Sequence, residues 1–323
     1  MIYCDSHIHL SNSQPPLFAG NERYFCVTSC HSKEDLDFFK GASAAGFGYA
    51  QPPRRSGVPP FANAHWGCHS ELSSVVIEPV EMTSLVANGG FDKLNHQNFF
   101  FIDTPNFGAS YPCAFVSFGI HPQIVNPAYL KNAFPSDLAL LESLCKNKEI
   151  VAIGECGFDF FTPEYKSTAA EQEIAFRAQL ALAQKYNLPL VLHLRKSIEK
   201  IFTFSRELKK IPAVIFHSFP GTLREAVSLQ NHGLNAFFSF GKPILNGKKS
   251  ALDCVQNLPI QNLLFETDAP YQTLKGESET LPSDIKKVYE KASELRKISK
   301  DELCEKIFEN FNRAFALGIV APP

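Results

Sequence analysis

No apolar run in this chain reaches the roughly 18 residues that a helix needs to cross a bilayer, so no membrane partner is expected. The opening MIYCDSHIHL lacks the basic start, apolar stretch and small-residue cleavage site of a secretory leader. An excess of charge of either sign is also missing. Lys+Arg 31 against Asp+Glu 33 leave a formal charge of −2, which removes any whole-surface attraction to nucleic acid or anionic lipid. Any polyanion site must be local. The nine cysteines lie at positions 4, 26, 30, 68, 113, 145, 156, 254 and 304, without the dense spacing of a disulfide scaffold. They are expected as buried free thiols of a cytoplasmic protein. What is present is a 45% hydrophobic, 20% charged chain of 323 residues, enough for a sizeable core and against disorder.

Eight short β-prone runs mark the chain: MIYC (1 to 4), RYFCVTSC (23 to 30), CAFVSFGI (113 to 120), EIVAIGEC (149 to 156), LPLVLHLR (188 to 195), PAVIFHSF (212 to 219), NAFFSFG (235 to 241) and LLFETDAP (263 to 270). From 113 onward they alternate with segments of helical period, the pattern of βα units around a parallel sheet. In AAEQEIAFRAQLALAQKY, Ile174, Ala178, Ala181 and Leu182 share one helical face and are expected to bury it. A strongly helical tail runs from about Asp284 to Leu317. Near-continuously apolar strands, buried on both faces, predict an α/β fold, a closed (β/α)8 TIM barrel, over an open doubly wound sheet. Residues 42 to 112 do not fit that alternation, because helix-to-strand loops in such folds run to about 2–6 residues. They read as an insertion between the second and third strands of a single domain over 1–323, with a strand-like piece at SSVVIEPV. Within them His65, Cys68 and His69 lie close together, but the complementary pair of a structural zinc site is missing, so an ordinary loop is the preferred reading.

The chemistry lies in where His and acidic residues fall. His7 and His9 follow the first strand, His121 closes the third, Glu155 the fourth, His193 the fifth, His217 the sixth and Asp268 the eighth. In a barrel these are all C-terminal strand ends, the face on which barrel enzymes build active sites. His-x-His on an extended segment puts two imidazoles on one side, because side chains alternate with period two. Four histidines and two carboxylates exceed one tetrahedral ion and suit two ions with a bridging carboxylate. Parity turns Cys156 away from the Glu155 face and puts Arg195 with His193, where it could meet a bound anion. Glu266 shares the parity of Asp268 one layer deeper, where it would orient a ligand histidine.

The motifs DSHIHL (5 to 10), GIHP (119 to 122), IGECGFDFF (153 to 161), NLPLVLHLRKS (187 to 197), IFHSFPG (215 to 221), FSFGKP (238 to 243), FETDAPY (265 to 271) and ENFNRAF (309 to 315) together resemble the TatD-related metal-dependent deoxyribonucleases of the amidohydrolase-like barrels. They cover nearly the whole chain in order, apart from 42 to 112. The resemblance implies that His7, His9, Glu155 and Asp268 hold one ion, and that Glu155, His193 and His217 hold the second. It implies a phosphodiesterase acting on DNA, single-stranded or at an end, through a metal-activated water. Cys156 stands where the family usually has an aliphatic residue, and KGESETLPS stands where an arginine-asparagine segment is expected, which puts that segment's substrate contacts in doubt.

On this reading Asp268 accepts the proton of the attacking water and shares the catalytic role with Glu155. His121 lines the cavity without ligating, and His121 and Arg195 contact substrate. Lys196, Lys242, Lys248 and Lys249 are further candidate anion contacts. Imidazole-plus-carboxylate ligation suits zinc, manganese or iron, and the resemblance also admits magnesium. The alternative is amide, lactone or deaminase-type hydrolysis of a small molecule by the same ligand set. A catalytically silent barrel would have no need of such a set, and nothing calls for an obligate protein partner.

Overall fold

The computed structural model describes residues 1–12, 18–19, 22–44, 109–110 and 113–319. Its strands, in chain order, are β1 (Ile2–Ile8), β2 (Phe18–Ala19), β3 (Arg23–Cys30), β4 (Ala109–Ser110), β5 (Cys113–Phe118), β6 (Ala152–Asp159), β7 (Leu190–Arg195), β8 (Val214–Phe216), β9 (Ala236–Phe240) and β10 (Leu263–Phe265). Eight form one parallel sheet in the order β1-β3-β5-β6-β7-β8-β9-β10, with every neighbouring pair parallel and with register shifts between Asp5 and Ile8 in β1 and between Ile153 and Cys156 in β6. The two ends of that order meet where Asp268 N donates to His7 O (3.0 Å) and His9 N to Ala269 O (2.9 Å). These bonds bring the segment after β10 against the end of β1 and bring the barrel to near closure, as the eight runs predicted.

Helices α1 (Lys33–Ala44), α2 (Pro127–Asn132), α3 (Phe134–Lys146), α4 (Pro163–Ser167), α5 (Ala169–Tyr186), α6 (Ile198–Phe202), α7 (Ser205–Leu208), α8 (Leu223–Asn231), α9 (Lys249–Asn257), α10 (Ile285–Arg296) and α11 (Lys300–Phe315) fill the connections and the C-terminal tail. None of the described helices is long and apolar enough to cross a membrane. The tail packs on the barrel by specific bonds. Tyr289 Oη both accepts from Cys4 N and donates to Cys4 O (3.0 Å each), and Asn310 Nδ2 donates to Leu263 O at 2.9 Å. All residues of β6 are buried, as expected of a strand covered on both faces.

The face of α5 is not the one its apolar spacing predicted. Ile174 is 53% exposed, while Gln172, Ala175, Phe176, Gln179, Leu180 and Ala183 are buried with Leu182. Two glutamines belong to the buried face because their amides complete the bonding of strand-end backbone. Gln172 Oε1 accepts from Asp159 N (2.9 Å) and its Nε2 donates to Asp159 O (3.1 Å). Gln179 does the same for Ile120, at 2.8 and 3.1 Å. A buried amide that satisfies a peptide on both edges is as acceptable in a core as an apolar side chain. Both glutamines thereby anchor the ends of β5 and β6, which carry His121 and Glu155.

The insertion falls between β3 and β5 as expected, although α1 extends to Ala44. Phe18–Ala19, after β1, pairs antiparallel with Ala109–Ser110 at the far end of the insertion. Its interior, including His65, Cys68, His69 and SSVVIEPV, lies outside the described residues.

Candidate metal centre

Glycine brings the key strands together. A Cβ at Gly154 would stand 2.5 Å from Val191 O, and one at Gly157 would collide with His193 O; both residues have positive φ. Only glycine lets β7 approach β6 this closely, which sets His193 beside Glu155.

Glu155 is the centre of the arrangement, 3% exposed. Its Oε1 faces three imidazoles: His31 Nε2 at 3.1 Å, His7 Nε2 at 3.2 Å and His9 Nε2 at 3.5 Å. Its Oε2 faces three more: His193 Nδ1 at 3.3 Å, His217 Nε2 at 3.5 Å and His121 Nε2 at 3.8 Å. Asp268 Oδ1 lies 3.6 Å from His7 Nε2 and 3.4 Å from His9 Nε2, which are themselves 3.2 Å apart. Donors of a tetrahedral ion held at about 2.0–2.2 Å stand about 3.3–3.6 Å from one another. The separations of His7 and His9 from each other, from Glu155 and from Asp268 lie close to that range.

In the second expected set, His193 and His217 both face Glu155 Oε2. Groups of described residues whose donor atoms all lie within 4.8 Å of one another include His7, His9 and Asp268; His7, Glu155 and His217; His9, His31 and Glu155; and His121, Glu155 and His193. His193 also lies beside His121, its ring centroid 4.4 Å away; that of His217 is 6.4 Å away.

Around these groups lies a layer that fixes their orientation. His193 Nε2 donates to Asp159 Oδ2 (3.1 Å), and Gln123 Nε2 donates to the same oxygen (2.8 Å). Fully buried Glu266 sits with Oε1 3.1 Å from His217 Nδ1 and accepts from Ser218 N at 2.8 Å. Asp5, under the cage, accepts from Thr267 Oγ1 (2.6 Å), Thr267 N (3.0 Å), Tyr24 Oη (2.7 Å) and His7 N (3.3 Å), which ties β1 to the segment bearing Asp268. Burial raises the pKa of Asp5 to about 7 in spite of those bonds. Asp159, Asp5 and His31 were not among the residues singled out from the sequence. His31 could have been, since it follows β3 as the other histidines follow their strands; Asp159 and Asp5 carry no such mark.

Two candidate anion contacts have partners within the protein. Lys242 is fully buried and held by Glu277, Asp284 Oδ2 (2.8 Å) and Thr280 Oγ1 (3.2 Å), so its charge is committed to the loop after β10. Arg195 is exposed and stacks over Phe161, 3.9 Å from the ring centroid, with Lys196 Nζ at 4.6 Å. Cys156 is buried facing Val191 O, away from Glu155, as parity required.

Charges in the cage are strongly coupled. Burial opposes ionisation of Glu155, but the His7 and His217 imidazoles outweigh it and hold the carboxyl well below its ordinary range. Burial likewise opposes ionisation of Asp268, and His217 and His9 bring it down to about 2. Burial also disfavours charge on His217, yet Glu266, Asp268 and Glu155 push its pKa up to about 10. The metal-free cage thus carries a proton on His217 at neutral pH. The stability this proton contributes is fully present below the ordinary histidine pKa and is lost as pH rises through about 10. Ligand nitrogens must be unprotonated, so metal binding should release protons and its affinity should rise between pH 6 and 9. Chelator-competition titrations at several pH values, with proton release read in weak buffer, check this.

A barrel with a buried carboxylate set between imidazoles at its C-terminal rim defines a metal-dependent hydrolase. A model of the TatD-related DNase family matches residues 101–316, and the chain belongs to that family. Among curated relatives, the metal-dependent hydrolase YabD of Bacillus subtilis is 34% identical over 188 residues, 56% of this chain and 71% of YabD. The 3'-5' ssDNA/RNA exonuclease TatD of Pantoea ananatis is 36% identical over 156 residues, 47% of this chain and 56% of that enzyme. The chain thus spans little more than half the length of some relatives it matches. Among solved structures, the TatD homolog YjjV of Escherichia coli aligns with a TM-score of 0.57 at 26% identity, over 64% of this chain and 78% of YjjV. A TatD-family hydrolase of Entamoeba histolytica aligns over 97% of both chains with a TM-score of 0.59 and shares the fold at 17% identity.

Proposed function

We propose that this protein is a metal-dependent deoxyribonuclease that hydrolyses DNA phosphodiester bonds, single-stranded or at an end. The observation that carries the reading is Glu155, with each carboxylate oxygen turned toward its own set of imidazoles. A buried anion in that position fits a bridge between two divalent ions, and nitrogen-rich ligation fits zinc or manganese better than magnesium. His7, His9, Glu155 and Asp268 would hold one ion; Glu155 with His193 and His217 would hold the other, with His193 aided by its proximity to His121. Such ions supply positive charge to the phosphate oxygens and lower the pKa of the attacking water. The names of the nuclease relatives favour a phosphodiester over an amide or a base amine as the bond cleaved.

The protein's own groups divide the remaining work. Asp268 is ionised throughout the neutral range, and its Oδ2 accepts from Gln272 Nε2 at 2.9 Å. It would accept the proton of the attacking water. His121 accepts from Gln123 N (3.3 Å) through Nδ1, so its Nε2 bears the proton and faces the cage as a donor. Arg195, held against Phe161 at the rim, would meet a phosphate flanking the scissile one. Arg195→Ala is therefore expected to raise KM about tenfold with kcat and metal content little changed, as for a contact made equally in ground and transition states.

Cleavage of single-stranded DNA by protein stripped with chelator, then supplied singly with zinc, manganese and magnesium, tests the reading. Restoration by at least one metal supports it; DNA left intact by all three, with hydrolysis of an amide or deamination of a base, overturns it. Residues 42–112 are proposed to be an insertion in a single domain. Deleting about 50 to 100 should leave a folded, metal-binding protein by circular dichroism and elemental analysis, because all eight barrel strands lie outside it.

A further inference from the structure

The two histidines that flank the cage outside the expected ligand set, His31 and His121, are distinguished by which ring nitrogen is already engaged. A carbonyl oxygen can only accept, so the contact of His31 Nδ1 with Gly119 O (3.4 Å) places the proton of the neutral ring on Nδ1. The Nε2 lone pair then points at Glu155 Oε1, 3.1 Å away, with Ser29 Oγ at 3.5 Å on its flank. A lone pair set against a carboxylate oxygen is repulsive unless a proton or a cation lies between them. Binding through one ring nitrogen while the other donates to a backbone carbonyl is also the usual posture of a ligating histidine. His121 has the opposite arrangement: its Nδ1 accepts from Gln123 N, and its Nε2 carries the proton, 3.2 Å from His193 Nδ1.

We propose that His31 is a direct ligand of the ion on the Oε1 side of Glu155, a fifth protein donor with His7, His9, Glu155 and Asp268, and that His121 is not a ligand. The assignment rests on the metal-dependent reading above. Its spatial basis is that the donor atoms of His9, His31 and Glu155 all lie within 4.8 Å of one another. His31 reaches the cage from just after β3, the strand between β1, which carries His7 and leads to His9, and β5. A fifth donor would favour ions that accept more than four ligands.

Substitution by cysteine followed by cobalt(II) titration under reducing conditions tests this directly, because a thiolate bound to cobalt gives a near-ultraviolet charge-transfer band and an unbound one does not. His31→Cys is expected to show that band, and the parent and His121→Cys are expected to lack it. His31→Gln should weaken one of the two cobalt-binding steps by about tenfold to a hundredfold and leave the other unchanged. A His31→Cys protein that loads cobalt without the band, or a band in His121→Cys, overturns the assignment alone. A parent that takes up no cobalt overturns the metal reading and this assignment with it.

Discussion

Replacing Glu155 by Gln is expected to strip the protein of metal and to destabilise its metal-free form by about 3–5 kcal/mol, the range found when one partner of a buried ion pair is removed. The amide keeps the size and shape of the side chain but gives up the negative charge that six imidazoles face. His217, held protonated up to about pH 10 by Glu266, Asp268 and Glu155, would lose one of those three anions, and His7 and His193 would each lose one of two carboxylate neighbours, keeping Asp268 and Asp159 respectively. Occupancy should fall for both ions, because one oxygen serves each. Elemental analysis after dialysis reads the first effect, and urea unfolding with chelator present reads the second. An unfolding midpoint equal to the parent's would show that the carboxylate does not hold the cage together.

Asp268→Asn should have the opposite profile: most of the metal retained and kcat lowered by about 10²–10⁴-fold, the span that proton transfer by one positioned group contributes. Asparagine preserves an oxygen for His7 and His9 to face, yet it cannot accept a proton from water. Asp268 also adopts a left-handed backbone conformation, φ 57°, which asparagine tolerates as well as aspartate does, so the substitution leaves the loop geometry in place. The discriminating measurement is kcat on single-stranded DNA at matched metal content. Turnover near the parent's would assign the proton to another acceptor.

Between them these two residues illustrate what can be read without coordinates. Glu155 and Asp268 announce themselves because a polar residue interrupts an apolar strand run at its C-terminal end, and the direction of a parallel barrel sends all such ends to one rim. His7, His9, His193 and His217 are legible for the same reason, and the same rule extends to His31. Glu266 is legible through period two. The buried face of α5 was not legible, because hydrophobic spacing discounts Gln172 and Gln179, whose burial depends on peptide groups at 159 and 120 that only the fold brings near. Asp159 and Asp5 escaped for a related reason: their partners, His193, Thr267 and Tyr24, are distant in sequence.

The sequence by itself determined the class of fold, the rim on which chemistry is gathered and the residue types available there, since alternation and strand direction are local properties of the chain. Which imidazole faces which oxygen of Glu155, which ring nitrogen of His31 and His121 is free, and that Lys242 is buried against Glu277 and Asp284 were decided only in the tertiary structure. Those outcomes depend on ångström-scale distances between strands joined by no local rule. They are set by how closely Gly154 and Gly157 let β7 approach and by how the barrel closes through His7 and Asp268.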